Sequence, residues 1–540
     1  MAYRKLNLDR DKINQCRDLA ARIVKPAQKY IDRHSTLSIE SSCLFALGIE
    51  GVWEGKPIAD LICDRLDRDR LRRGIIFWFG AALAHTGLAP REVAHKLVNG
   101  ELAFETIPHI SFEKIKEVLS PLVAKALQAI KEVASQKKLF ASRIASSLKS
   151  PILLLVAPEN ERERDICLTL KGADIILTTN LKDIRADHLR KKGGELKRFA
   201  TSISGLSAPQ DVIRASFTGM DIIGCDTIGE IVKSGMNPKR VLVDSHWICR
   251  LCSKMEIIFF AENAHTRDLD GYRDTHQATV SQFLVEQLAF QGRIVPEQLA
   301  LGHFYDIDPA LDAGFLFELA RAAMIRDFYP RNPLVYLPPS RFLTGSDVEK
   351  TLMANLFFSS SVITEQSIVA LPNCADLSGM LKSANTIIRS TRTLGDELQF
   401  IPNGKIDRRA NTILENAVRL LRKMETQGFL NAFAHGLIAG IHVDEKGGAG
   451  LDGVFQKDRN YFNPIEEYLD GKTTSIEPSV ATAEKEVPHP DLSVTPTPPK
   501  KEQQRHRHFP GRYHRRRRNP KSTRKIIEKT KGTNYPPRNE

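Results

Sequence analysis

The sequence predicts an α/β protein: a TIM-type β/α barrel with a helical N-terminal region and a disordered basic C-terminal tail. Three observations predict it. Short β-like runs alternate with helix-length intervals between residues 146 and 470, residues 1–145 carry apolar side chains at helical spacing, and beyond residue 470 core-building aliphatics nearly disappear. At 540 residues and 42% hydrophobic content the chain can bury a large core.

The N-terminal region, 1–145, is helical because KINQCRDLAARIVKPAQKYIDRH (12–34) and SFEKIKEVLSPLVAKALQAIKEVASQ (111–136) repeat apolar residues at intervals of three and four. The barrel, 146–470, is predicted from eight runs: 152–157, 174–179, 221–225, 240–243, 256–260, 299–302, 334–337 and 367–371. Residues 405–440 return to a helical pattern, with Ile413, Leu414, Ala417, Val418 and Leu421 on one face, and the Gly-rich DEKGGAGLDGV (444–454) closes the folded part. The tail, 471–540, is rich in Pro, Thr, Ser, Glu, Lys and Arg, a composition that cannot offset the entropy of ordering.

Charge and cysteine usage exclude several classes. Residues 500–540 hold 15 Lys and Arg against 3 acidic residues, a balance of +12 out of the chain's +13, so the basic character belongs to the tail. Arg505–Lys525, with Phe509 and Tyr513 among its arginines, is expected to bind polyanions without specificity. The longest apolar run, 74–84, falls short of the roughly 20 residues a membrane span needs. The eight cysteines are scattered rather than dense, which points to a reducing cytoplasm.

Four motifs have a functional and a structural reading. Asp244 and His246 share the Asp-x-His spacing of a cobalt-ligating motif, but Cys249 stands where that motif needs glycine, so His246 is read as structural. Cys249 and Cys252 form a C-x-x-C pair without the second pair a zinc site requires, and are read as packed thiols. His303, Asp306 and Asp308 in GHFYDIDP are read as hydrogen-bonded loop residues, not metal ligands. Gly447, Gly448 and Gly450 do not sit between a strand and a helix as a phosphate loop would, and are read as a closing turn.

Several blocks resemble, in one order and spacing, the α subunit of the lysine 5,6-aminomutase family: KLNLD (5–9), LGIEGV (47–52), the long stretch 281–345 beginning SQFLVEQLAFQG, and GGAGLDGVFQKDRNYFNP (447–464). The likeness covers most of residues 1–470. It implies a β/α barrel that clasps pyridoxal phosphate, adenosylcobalamin carried on a smaller β subunit that pairs with the barrel, and a radical 1,2-amino shift on a diamino acid such as lysine. It implies cofactor contact by Ser204, in SGLSAPQ (204–210), and substrate contact by Asp376.

The resemblance fails at other cofactor and substrate positions. The family's phosphate-binding arginine corresponds to Asn180, and about thirty family residues are missing between Asn180 and Ser204, so a barrel unit is expected to deviate around 180–221. The tyrosine that stacks on pyridoxal corresponds to Gly229, the substrate arginine to Ser234, the substrate aspartate to Asn263, and a carboxylate-binding lysine to Val335. Two functions follow: an aminomutase α-subunit-like component, or a non-catalytic paralogue that keeps the barrel for binding or assembly.

Overall fold

The computed structural model describes residues 5–146, 153–158, 161–169, 171–178, 197–263, 265, 275–303, 307–308, 311–312, 314–338, 342–372, 376–395, 404–438 and 453–472. The tail beyond 472, Asn180, Asp306, Cys374 and the glycines at 447, 448 and 450 lie outside these residues.

Helix Arg10–Arg33 begins where the Asp9 side chain accepts the Lys12 N–H, and it buries Ile13, Cys16, Leu19, Ala20, Ile23, Val24 and Ile31. That stripe packs on helices Thr275–Gln291 and Gly404–Gln427. The second of these buries all five residues of the predicted apolar face, with Ile406, Ala410 and Met424. Helix Phe112–Ser146 runs for 35 residues and lies against helix Ile75–Thr86. The short strand His34–Thr36 pairs antiparallel with Val454–Gln456, tying the N-terminal layer to the chain's last described segment. N-terminal layer and barrel fall in one compact unit, 1–480.

Eight strands close the barrel: β1 Leu153–Val156, β2 Ile175–Thr178, β3 Arg198–Ser202, β4 Ile222–Cys225, β5 Ile258–Ala261, β6 Leu299–His303, β7 Leu334–Tyr336 and β8 Ile368–Ala370. All pairings are parallel and follow chain order, and β8 returns to β1 with Val369 opposite Leu154. Alternate residues point inward, and Leu155, Ile175, Ala200, Ile222, Ile258, Phe260, Ala300, Val335, Ile368 and Ala370 fill the interior. The opposite residues of each strand join the larger core beneath the helices.

Seven of the eight predicted runs are barrel strands, and one is corrected. Residues 240–243 lie inside helix Pro238–Lys254, which starts at Asn237, whose side chain accepts the Lys239 N–H, with proline at the first turn. Val241, Leu242 and Val243 are all buried because the helix is covered on several sides, so helical periodicity is erased and the run reads as a strand. The missing strand is β3, RFATS, with only two apolar residues. Two suffice: Ala200 faces the narrow interior, Phe199 faces the helices, and the Thr201 hydroxyl donates to the Thr178 carbonyl at 2.8 Å. The unit expected to deviate therefore keeps its strand and its following helix, Ala208–Phe217.

Polar side chains cap strand starts at the N-terminal rim. Asp174 accepts the Leu154 N–H at 2.9 Å, Asp221 accepts the Phe199 N–H at 2.9 Å, and the Ser367 hydroxyl accepts the Leu334 N–H at 3.2 Å. Lys137 of the long helix reaches under this rim to Asp221 at 2.8 Å and the Gly219 carbonyl at 2.6 Å, with both charged side chains almost fully buried. Among the described residues, no helix is long and apolar enough to cross a membrane.

Candidate functional site

In a parallel barrel the C-terminal rim is where loops can gather chemistry, since the interior is packed and the opposite rim is consumed by strand capping. Ser204, two residues past β3, is exposed there, in a turn that Gly205 completes at φ +75°. The turn is anchored on both sides. The Leu206 carbonyl accepts from Arg240 at 3.0 Å, while the Glu230 carboxyl lies near the Gly205 N–H and the Ser234 hydroxyl. Burial raises the Glu230 carboxyl, and these two donors only partly oppose it.

The turn after β4 is filled by its own side chains. Asp226 Oδ1 accepts the Gly229 N–H at 3.0 Å and faces His265 Nδ1 at 2.8 Å, and Asp226 Oδ2 accepts the His265 backbone N–H at 2.7 Å. His265 Nε2 in turn lies 3.1 Å from the Ser281 hydroxyl. A carboxylate cannot donate, so Nδ1 carries a proton and donates to Asp226, while Nε2 meets the Ser281 hydroxyl. His265 and Ser281 are 1% and 0% exposed. Burial alone would raise the Asp226 carboxyl; the charge of the imidazole and the three N–H donors outweigh it and hold the group below its usual range.

This arrangement explains Gly229. A Cβ built at that position would overlap the Asp226 carboxylate. Three donors pin the carboxylate, so it cannot swing aside without losing them. Neither a tyrosine nor any other side chain fits at residue 229 while Asp226 is so held.

The other rim residues carry few charges suited to an anion. Asn263 follows β5 in the left-handed region at φ +52°, is 2% exposed, and directs Nδ2 toward the Ala261 and Gly302 carbonyls, each at 3.5 Å. Glu262 extends over Gly224, where any Cβ would meet its carboxylate. Val335 lies in the apolar barrel interior, level with Gly302 and Ile368. Asp376 is exposed beyond β8 and accepts the Gly379 N–H at 2.8 Å, where helix Leu377–Gly395 begins. Ser204 and Asp376 thus both lie beyond C-terminal strand ends, on loops separated by β1 and β2 on one side of the barrel.

His246, Cys249 and Cys252 lie away from this rim, on helix Pro238–Lys254. Burial, with Arg250 nearby, pushes His246 down to about 3 and keeps it neutral. Burial pushes both thiols up, so they stay protonated and packed. His303 ends β6 and Asp308 lies in the loop beyond it. Among the described residues, no three His, Cys, Asp or Glu side chains are grouped to hold a metal.

Sequence reasoning missed His265 and Ser281. Asp226 stands directly after a strand, a position that could have drawn attention, but His265 comes from a loop and Ser281, which meets His265, from the second turn of the next helix, with no shared local pattern.

Fold and rim together define a TIM-barrel protein whose candidate site is the C-terminal mouth. Residues 6–180 and 177–468 match the D-lysine 5,6-aminomutase TIM-barrel domain of the alpha subunit, and the chain belongs to that family. It is 27% identical over 514 residues to the lysine 5,6-aminomutase alpha subunit of Acetoanaerobium sticklandii, covering 86% of this chain and 98% of that protein. It is 28% identical over 509 residues to the lysine 5,6-aminomutase alpha subunit of Fusobacterium nucleatum, covering 85% of this chain and 98% of the relative.

The family implies pyridoxal phosphate, and the described residues do not fit it. A cradle for that group needs cationic or hydroxyl donors for the phosphate and a flat surface for the ring. Ser204 offers one hydroxyl. Among the described residues that follow the strands directly, at 157–158, 203–207, 226–230, 262–263, 265, 307–308, 337–338 and 371–372, none is Lys or Arg. At residue 229 the space a Cβ would take is occupied by the Asp226 carboxylate.

Proposed function

We propose that this chain is the α-subunit-like component of a lysine 5,6-aminomutase-type assembly, the barrel partner of a smaller cobalamin-binding β subunit that carries adenosylcobalamin. The observation that supports it is the match in two segments, 6–180 and 177–468, onto a barrel whose eight strands are all in place. A scaffold kept at this length is what docking to a partner subunit requires, whatever happens to individual site residues. The reading places the assembly in the cytoplasm, supported by seven buried cysteines that are all free thiols. Ser204 and Asp376 are its candidates for cofactor and diamino-acid contact. The test is co-expression with a cobalamin-binding β subunit of the family: the two should co-elute in fixed ratio, and separate elution would overturn the subunit role.

A second reading, a non-catalytic paralogue that keeps the barrel as a binding or assembly module, is favoured by one specific observation. The Asp226 carboxylate fills the space above Gly229. Supplying the co-purified assembly with lysine, pyridoxal phosphate and adenosylcobalamin separates the two. Formation of the 5,6-migrated diamino acid supports the active component, and intact lysine supports the paralogue.

A further inference from the structure

We propose that Asp226, His265 and Ser281 form a built-in stop that closes the turn after β4 to a planar aromatic cofactor, so that this barrel does not hold pyridoxal phosphate in its mouth. The inference deepens the second reading and rests on the family assignment, which makes the mouth the place where such a cofactor is expected.

Three features carry it. The Asp226 carboxylate lies where any side chain at residue 229 would begin. It is fixed there by three N–H donors at 2.7 to 3.0 Å, two from His265 and one from Gly229. His265 is itself fixed at its far nitrogen by Ser281, on a helix packed into the core, so the carboxylate is held by a chain of contacts and not by one rotamer. A ligand ring pressed against this turn would have to displace a largely enclosed, hydrogen-bonded charge, a costly kind of group to strand. The described residues that directly follow the strands do not return that cost, because none of them is Lys or Arg.

The test uses the full chain and two readouts. In equilibrium dialysis the probe is pyridoxine 5′-phosphate, which shares the ring and phosphate of the cofactor but has no aldehyde to react with surface lysines. The expected result is no saturable retention; one equivalent retained per chain would overturn the proposal. The second readout is thermal unfolding of Gly229→Ala in the wild-type and Asp226→Ser backgrounds, since serine keeps a capping oxygen while drawing it back by one atom. The added methyl should lower the melting temperature at least about threefold more in the wild type than beside Ser, because the two sites share one space. Equal losses would overturn the stop. Should Asp226→Ser fail to fold, Asp226→Asn combined with His265→Gln weakens the same hold. Co-elution with the β subunit is read separately: a chain that retains no ligand and fails to co-elute supports this inference while overturning the subunit role.

Discussion

Replacing Lys137 with methionine tests how the long helix Phe112–Ser146 is held to the barrel. Lys137 and Asp221 are 2% and 1% exposed and meet at 2.8 Å. The substitution preserves the apolar stem but leaves Asp221 charged and buried. Removing one partner of a buried ion pair costs about 3 to 5 kcal/mol, mostly the penalty of the stranded charge. Two residual contacts moderate the loss here: Asp221 keeps the Phe199 N–H at 2.9 Å, and Arg198 stands 3.9 Å away. The lower part of that range, about 3 kcal/mol, is therefore expected. Urea denaturation of the full chain measures it as a shift in midpoint at unchanged slope. Lys137→Met with Asp221→Asn should recover a large part of the loss, since no buried charge then remains unpaired. A single-variant loss below about 1 kcal/mol, the value of an exposed pair, would refute the reasoning.

Three further outcomes follow from other parts of the molecule. Burial raises the Asp327 carboxyl to about 6, against the Leu6 N–H that donates to it at 2.9 Å. The folded state thus binds that proton more tightly than the unfolded chain, and this contribution to stability is present at low pH and lost as pH rises through about 6. Asp327→Asn should raise the unfolding free energy at pH 8 by on the order of 2 kcal/mol and leave it nearly unchanged at pH 4; a larger gain at acid pH would contradict the sign. The seven cysteines at 16, 43, 63, 167, 225, 249 and 252 are buried. A Cys374→Ala chain should therefore show no rapid reaction with a thiol reagent until denatured, and prompt labelling would place at least one of the seven at the surface. Truncation after residue 475 removes residues 500–540, which hold 15 Lys and Arg against 3 acidic residues, so it should abolish retention on heparin and leave the melting temperature unchanged; retention by the truncated chain would locate the polyanion surface on the barrel.

Much of the fold was legible because several of its outer helices are one-sided. Ile413, Leu414, Ala417, Val418 and Leu421 could be assigned to a buried face from spacing alone, since the other face of Gly404–Gln427 meets water. Helix Pro238–Lys254 lost that legibility by being covered on several sides, where Val241–Leu242–Val243 is apolar without period. The strand at 198–202 was hidden by the converse effect, a barrel interior narrow enough for alanine. At the site, Ser204, Gly229, Ser234, Asn263 and Asp376 lie beyond strand ends, while Val335 lies within β7. The reason Gly229 is glycine was not legible. It depends on a carboxylate three residues earlier being pinned by a histidine 39 residues later, a long-range contact that no local pattern encodes.

The most direct test of the central claim, that the mouth of this family member is closed at the turn after β4, is a crystal structure of the full chain grown with pyridoxal 5′-phosphate. The Asp226 carboxylate should lie over Gly229, within hydrogen-bond reach of the Gly229 N–H and of both His265 donors, with no ring density at the turn. A pyridine ring seated against Gly229, with Asp226 rotated away from His265, would contradict it.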